Sequence, residues 1–200
     1  YITIEAPELS TPDEDYHREI SRELARHMKK LLPEKGELKA LVVGLGNREI
    51  TPDSLGPDVI SNLHITRHLI QEYGTLGMGE TCVHSVSGLV PGVMAQTGME
   101  TMEIIRGVVE ETKPDVVIAI DALAARSVKR LNRTIQLTDT GIQPGSGVGN
   151  HRNGLSETTL GVKVIGIGVP TVVERQLFRM PCLICWMLWR NRRKKNFWKR

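Results

Sequence analysis

The fold is limited most by the segment DVVIAI at 115–120, in which an apolar run at 116–120 follows Pro114 and Asp115 and is followed by Asp121. Five consecutive apolar residues between such boundaries are typical of a strand buried on both faces. A second continuous apolar run lies at 39–45 and ends in Gly44 and Gly46. Strands of this kind occur in sheets covered by helices on both sides, so the two runs predict an α/β fold.

The segments between these strands alternate in character. Residues 1–13 read as an extended lead-in, and further strands are predicted at 81–86, 134–137 and 162–167. Helices are predicted at 14–32, from the three- and four-residue spacing of its apolar residues, at 51–73 and at 99–112. Thr51 is expected to cap the second helix, with Pro52 in its first turn. The order predicts a three-layer domain, a mostly parallel sheet with helices on both faces.

Composition narrows the class of protein. The 200 residues suit about one domain, and the net charge of +3 is uneven: nine Lys/Arg and one acidic residue lie in 174–200, which leaves 17 basic and 22 acidic residues in 1–173. That acidic body does not suit nucleic-acid binding. Three cysteines fit a reducing compartment. No signal peptide is visible and no apolar run reaches the ~20 residues of a membrane span. We therefore expect a cytoplasmic protein that binds no membrane.

Two aspartates are the best candidates for chemistry. Asp53 follows the first buried strand at a helix start, and Asp121 directly follows the third. Ligands of parallel sheets bind beyond the carboxyl ends of the strands, so these carboxyls are expected to converge. With separated pKa values, one could take a proton from water and the other donate one, as hydrolysis requires. The alternative, that Asp53 only caps a helix and Asp121 only closes a turn, is equally compatible with the spacing.

Other motifs are weaker. Gly44-Leu45-Gly46 begins like a dinucleotide fingerprint, but Glu49 stands where the third glycine belongs, which counts against a nucleotide-binding module. The glycine-rich loop at 144–150 could bind an anion or could simply make tight turns. His64 and His68 have metal-ligand spacing, although a solvent-facing pair is the favoured interpretation. Cys82 is expected in the core. Residues expected to bind substrate or to support the site are Gly46, Asn47, Gly145, Ser146, Gly147 and His151.

Several long motifs in order resemble one known family. They are YITIEAPEL at the start, LVVGLGNREITPDSLGP at 41–57, HSVSGLVPGVMAQTGMET at 84–101, KPDVVIAIDALAARS at 113–127, TIQLTDTGIQPGSGVGNHR at 134–152 and LGVKVIGIGVPTVV at 160–173. Together they cover essentially all of 1–173. The chain resembles the spore germination protease family of endospore-forming bacteria.

This resemblance implies a function and a site. The family consists of endopeptidases, described as atypical aspartic peptidases, which are made as zymogens and cut small acid-soluble spore proteins during germination. Its two catalytic aspartates fall on Asp53 and Asp121 of this sequence. The resemblance also implies a homotetramer in the spore core, no cofactor, and a fold similar to that of hydrogenase maturation peptidases. A metal-dependent maturation-type peptidase and a catalytically inactive, truncated relative are the alternatives.

The last 27 residues depart from this pattern. They contain all three Trp and both Phe and end in a basic run. We therefore divide the chain into a peptidase domain at 1–173, expected to be incomplete at both ends, and an aberrant tail at 174–200. A shifted reading frame explains the tail, because suitable codons restore a family-like acidic helix. A basic extension that binds membranes or nucleic acid, with Cys182 and Cys185 on a metal, is the rival interpretation.

Overall fold

A computed structural model of the chain describes residues 1–74, 84–143 and 154–173. These residues form one six-stranded sheet with the order β1-β5-β6-β4-β2-β3. The strands are β1 (Ile2–Glu5), β2 (Lys39–Gly44), β3 (Ser85–Leu89), β4 (Val116–Ala125), β5 (Thr134–Thr138) and β6 (Lys163–Val173). Strands β3, β2, β4 and β6 pair in parallel, whereas β5 pairs antiparallel with β6, and β1 with β5. The predicted, mostly parallel sheet is therefore present.

The helices are α1 (Glu14–Leu31), α2 (Leu55–Ser61), α3 (Arg67–Tyr73), α4 (Met94–Thr97), α5 (Thr101–Thr112) and α6 (Glu157–Leu160). Helix α1 starts where Asp13 accepts hydrogen bonds from the backbone amides of Asp15 and Tyr16. Such a cap satisfies amides that have no partner within the helix. Within the described ranges, no helix is both long enough and apolar enough to cross a membrane.

Two apolar clusters lie on opposite faces of the sheet. On one face, Val117 and Ala119 of β4 pack with α5, through Met102 and Ile105. On the other, Ile118 and neighbouring strand residues pack against side chains of α1 and α2. Because β4 is apolar on both faces, it must be covered on both, and the predicted three-layer α/β arrangement is confirmed.

The predicted helix at 51–73 is wrong. Thr51–Asp53 is a separate 3-10 turn, preceded by Ile50 rather than capped by the Thr51 side chain, and α2 and α3 are divided by 62–66. The division has a cause at Thr66. The Thr66 hydroxyl accepts a hydrogen bond from the Val86 backbone amide and donates one to the His84 carbonyl. The Thr66 backbone amide donates a hydrogen bond to the Val86 carbonyl. These bonds tie the segment to the outer edge of β3, which an uninterrupted helix would not reach.

Strand boundaries also differ from the predictions. Residues 2–5, expected as a lead-in, form β1, and β3 begins at Ser85 and continues to Leu89 instead of occupying 81–86. Residues 81–83 lie outside the described part. The largest differences are in β6, predicted at 162–167, which continues to Val173, and in β4, which continues to Ala125. These two strands pair with each other over ten residues of β4. Asp121 therefore lies within a central strand, and not in a loop after it.

Candidate active site

Asp53 is held in a tight turn at the carboxyl end of β2. Its amide donates to the Ile50 carbonyl over 2.7 Å, and its Oδ2 accepts the Asn47 amide at 2.8 Å. Gly46 makes this turn possible. Its φ is +112°, and a Cβ there would lie 2.1 Å from the Asp53 carbonyl oxygen. A side chain at position 46 would therefore force the turn open.

The turn sits against the sheet because a helix approaches the strand end closely. A Cβ on Gly44 would lie 2.2 Å from the Gly56 carbonyl oxygen, so the first turn of α2 contacts the last residue of β2 directly. Two glycines, one on each element, permit this contact. The approach fixes Asp53 at the carboxyl edge of the central strands.

Asp121 lies on β4 at the same edge, paired with Gly168 of β6. Alternation along the strand puts it on the face of Val117 and Ala119, which is the face covered by α5. The side chain of Leu123 packs over Gly168, and a Cβ on Gly168 would lie 2.4 Å from it. Asp121 itself is only 6% exposed. Asp121 is therefore a carboxyl group in largely apolar surroundings.

This environment changes the acidity of Asp121. Burial, and secondarily the charge of Asp53, raise the pKa of Asp121 to about 7, while a hydrogen bond from the Ala122 amide acts in the opposite direction. Burial disfavours the charged form, and a second carboxylate nearby disfavours it further. Gly44, the last residue of β2, pairs with Ile120, so the segment that carries Asp53 leaves the sheet next to Asp121, in agreement with the contribution of the Asp53 charge. The predicted convergence of Asp53 and Asp121 is therefore present in the structure.

The two carboxyls differ in access to water. Asp53 is half-buried, and its Oδ2 accepts a hydrogen bond from the Asn47 backbone amide, while among the described residues no donor to Oδ1 is found. Asp121 is buried and half-protonated near neutral pH. A pair made of one accessible carboxylate and one protonated carboxyl can take a proton at one position and supply one at the other.

The structure brings some of the predicted supporting residues to this site. Gly46 and Asn47 contact Asp53 as described above. The remaining four, Gly145, Ser146, Gly147 and His151, lie outside the described residues, as does Cys82. Ile142 and Leu155, on either side of that glycine-rich segment, pair with each other, and Leu155 is fully buried on the α5 face. The described ends of the segment thus lie on the face that carries Asp121.

Two contacts at the site have no signal in the sequence. The Thr171 hydroxyl donates a hydrogen bond to the Pro52 carbonyl at 2.5 Å. The side-chain amide of Gln96 donates one to Asn47 Oδ1 at 3.3 Å. The first contact joins residues 119 positions apart. Only the folded chain brings β6 and α4 to the turn that carries Asp53.

The histidine pair is not arranged as a helical metal site. His64 lies between α2 and α3, His68 lies within α3, and both are exposed. Within residues 1–74, 84–143 and 154–173, no group of three or more His, Cys, Asp or Glu side chains could hold a metal ion. These observations agree with the solvent-facing interpretation.

A cavity of about 400 Å³ lies at the opposite edge of the sheet. Its lining includes Lys39, Ser85 and Pro114, at or just before the starts of β2, β3 and β4. The aspartates lie at the other ends of these strands. The cavity is therefore separate from the carboxyl pair.

Comparison with known proteins identifies the family. A sequence model described as germination protease matches residues 1–180. The chain is 53% identical over 174 residues to a germination protease of Caldanaerobacter subterraneus subsp. tengcongensis and 52% identical over 174 residues to one of Clostridium tetani, in each case over 87% of this chain and 53% of the relative. A Bacillus cereus germination protease is 50% identical over 177 residues, 87% of this chain and 48% of that protein.

The solved structures that are distantly similar include a hydrogenase maturation protease. A NiFe hydrogenase maturation protease from Thermococcus kodakarensis is 18% identical, with a TM-score of 0.43 over 74% of this chain and 84% of that one. A likeness at this level supports no conclusion about function. The chain spans about half the length of the curated relatives it matches. The family match is nevertheless continuous from the first strand to beyond the last, and the chain belongs to the germination protease family.

Proposed function

We propose that this protein is an endopeptidase that hydrolyses peptide bonds through Asp53 and Asp121. The observation that carries the proposal is the placement of a buried carboxyl, with its pKa raised to about 7, beside a second and more accessible carboxylate. Purely structural carboxyls are normally paired with cations or exposed to water, since burying one beside another is costly. A pair of this kind therefore supports a catalytic role.

The different environments of the two carboxyls support different proposed roles. Asp53 takes a proton from the attacking water through Oδ1, while its Oδ2 stays fixed by the Asn47 amide. The water oxygen bonds to the peptide carbonyl carbon, and the C–N bond then breaks. The protonated Asp121 gives its proton to the leaving nitrogen, which departs as a neutral amine. Each aspartate ends in the other protonation state, and proton exchange with solvent resets the pair.

The substrate proposal rests on the family. Its members are named germination proteases, and we propose small acid-soluble spore proteins as substrates, in the spore core. We also propose a zymogen, a homotetramer and an aspartic mechanism without a cofactor. These properties are proposed for the whole protein. The matched relatives are about twice as long as the region that matches this chain.

The test is incubation of the full-length protein with a purified small acid-soluble spore protein. Cleavage is expected in the presence of a chelator and is expected to be lost in Asp53→Asn and in Asp121→Asn, with both variants still folded. Near-normal turnover in either variant would defeat the assignment. Loss of activity on chelation, with a stoichiometric metal by elemental analysis, would instead support the metal-dependent alternative.

A further inference from the structure

Strand β6, which lies between β5 and β4 in the sheet, contains an irregularity in its pairing with β4. Leu123 of β4 pairs with Pro170 of β6, but the next residue, Ala124, pairs with Val172. Thr171 is therefore an extra residue in β6 with no partner on β4. This is the arrangement of a β-bulge, in which one residue leaves the regular ladder.

The bulge has a specific consequence for the Thr171 side chain. In a regular strand the side chains alternate strictly between the two faces of the sheet. A bulge breaks that alternation and can aim one side chain in a new direction, which is why bulges are common beside active sites. Here the Thr171 hydroxyl donates to the Pro52 carbonyl, in the 3-10 turn that carries Asp53.

This hydrogen bond closes a short connection between the two aspartates. Asp121 is on β4, β4 pairs with β6 through Gly168, and Thr171 lies three residues further along β6. From Thr171 the connection passes to Pro52 and then directly to Asp53. On the other side of the turn, Asn47 binds the Asp53 carboxylate and is itself contacted by Gln96. The turn is thus connected to β2 through residues 45–50 and to β6 through the hydrogen bond from the Thr171 hydroxyl.

We propose that Thr171 is a positioning residue, whose hydroxyl fixes the Asp53 turn over β4 and so sets the placement of Asp53 relative to Asp121. It touches neither carboxyl and acts through the backbone of Pro52. The proposal rests on the proposed function only for its effect on turnover, since the placement itself can be measured without a substrate.

The test uses three variants of the full-length protein. Thr171→Val keeps the shape of the side chain and removes the hydroxyl, Thr171→Ser keeps the hydroxyl, and Thr3→Val makes the same change on β1, where Thr3 is exposed. We expect Thr171→Val to lower kcat by about 10- to 100-fold, since small misplacements of catalytic groups have effects of this size. Thr171→Ser should restore most of kcat, and Thr3→Val should change nothing.

A second readout separates positioning from mere support of the fold. Among the described residues, Asp53 is the charged group that acts on the Asp121 carboxyl. If its turn drifts away in Thr171→Val, the pKa of Asp121 should fall, and NMR titration of the carboxyl carbon should show a downward shift that Thr171→Ser reverses. An unchanged titration in Thr171→Val, with or without a lower melting temperature, would overturn the proposal.

The two readouts also separate this inference from the proposed function. A shifted titration with unchanged turnover would establish the positioning role and defeat catalysis by the pair. A lower kcat that Thr171→Ser does not restore would remove the hydroxyl from the explanation and overturn the inference, while leaving the two aspartates as catalytic candidates.

Discussion

Two aspartates of the β4 segment, Asp115 just before the strand and Asp121 within it, lie in opposite environments. Asp115, just before the strand, accepts hydrogen bonds from Lys35 Nζ at 2.7 Å and from the Lys39 amide at 2.8 Å, with a quarter of its side chain exposed. The Lys35 hydrogen bond, followed by that of Lys39, lowers the pKa of Asp115. Asp121, six positions later, is buried beside a second carboxylate, and its pKa is raised to about 7.

The comparison shows how the same side chain serves two purposes. Just before β4, a cation and an amide stabilise the charged form of Asp115, which ties the start of the strand to Lys35 and to the first residue of β2, Lys39. Within the strand, at Asp121, the fold accepts an unfavourable carboxyl pair without a compensating cation among the described residues. Unfavourable burial of this kind is the environment that the proposed catalytic role would use.

The sharpest way to break the comparison is to neutralise each aspartate in turn. Asp53→Asn and Asp121→Asn should each lower kcat by about 10²- to 10⁴-fold, the usual contribution of general acid–base groups. Asp115→Asn is the matched control and should leave kcat near its normal value. Initial rates on a spore-protein substrate measure all three. Equal losses of kcat in Asp115→Asn and Asp121→Asn would remove the distinction between the two aspartates.

Stability should depend on pH with opposite sign at the two aspartates. The native pKa of Asp121 is raised, so its favourable contribution is complete below the unfolded value near 4 and is lost as pH rises to about 7. The loss amounts to roughly 4 kcal/mol if the shift is fully expressed. Asp121→Asn should therefore flatten the decline in unfolding free energy between pH 4 and pH 8, measured in urea.

Asp115 is the control for that measurement. Its lowered pKa contributes stability that is present above the unfolded value and lost as pH falls. Asp115→Asn should therefore destabilise the protein at pH 8 and lose this effect in acid. A decline from pH 4 to pH 8 that persists unchanged in Asp121→Asn would show that another group causes it.

The turn that carries Asp53 should be sensitive to a single methyl group. Gly46→Ala places a Cβ against the Asp53 carbonyl at a positive φ, and should cost about 1–3 kcal/mol and reduce kcat. Gly107→Ala is the matched control. Gly107 lies in the middle of α5 with open space around it, so alanine there should stabilise by about 0.5–1 kcal/mol. Thermal melts and initial rates report both, and a silent Gly46→Ala would contradict the described turn.

The smallest effect on stability is expected at the ion pair between Lys35 and Asp115. Lys35 is half exposed, so Lys35→Met should cost about 1 kcal/mol or less, and salt should weaken the effect further. The activity should not change. A large loss of kcat in Lys35→Met would show that this ion pair also takes part in the reaction.

Much of the fold follows from the sequence because burial leaves a local pattern. The run before Asp121 has no polar face, so it could only be a central strand covered on both sides. The order of strands and helices, the first helix and its end near Leu32, and the shared edge of Asp53 and Asp121 follow from the same kind of reasoning. The family motifs then named the same two aspartates.

The errors occurred where distant contacts override local preference. Thr51 and Pro52 predict a helix start, but Thr66 binds the edge of β3 and divides the helix. Pairing with β6 carries β4 past Asp121, a result that no residue near Asp121 signals. The predicted supporting residues at 145–147 and 151 lie outside the described residues, and the shifted-frame interpretation of 174–200 remains a prediction that resequencing the locus would test.

The α/β class, the family and the pair of candidate aspartates can be recognised in the linear sequence, because periodic burial and ordered motifs are properties of neighbouring residues. Long-range contacts were needed to bury Asp121 while pairing Asp115 with Lys35. They were also needed to bring Thr171 to the turn of Asp53. The reason is that acidity depends on what surrounds a carboxyl in space, and those surroundings come from strands far apart in the chain.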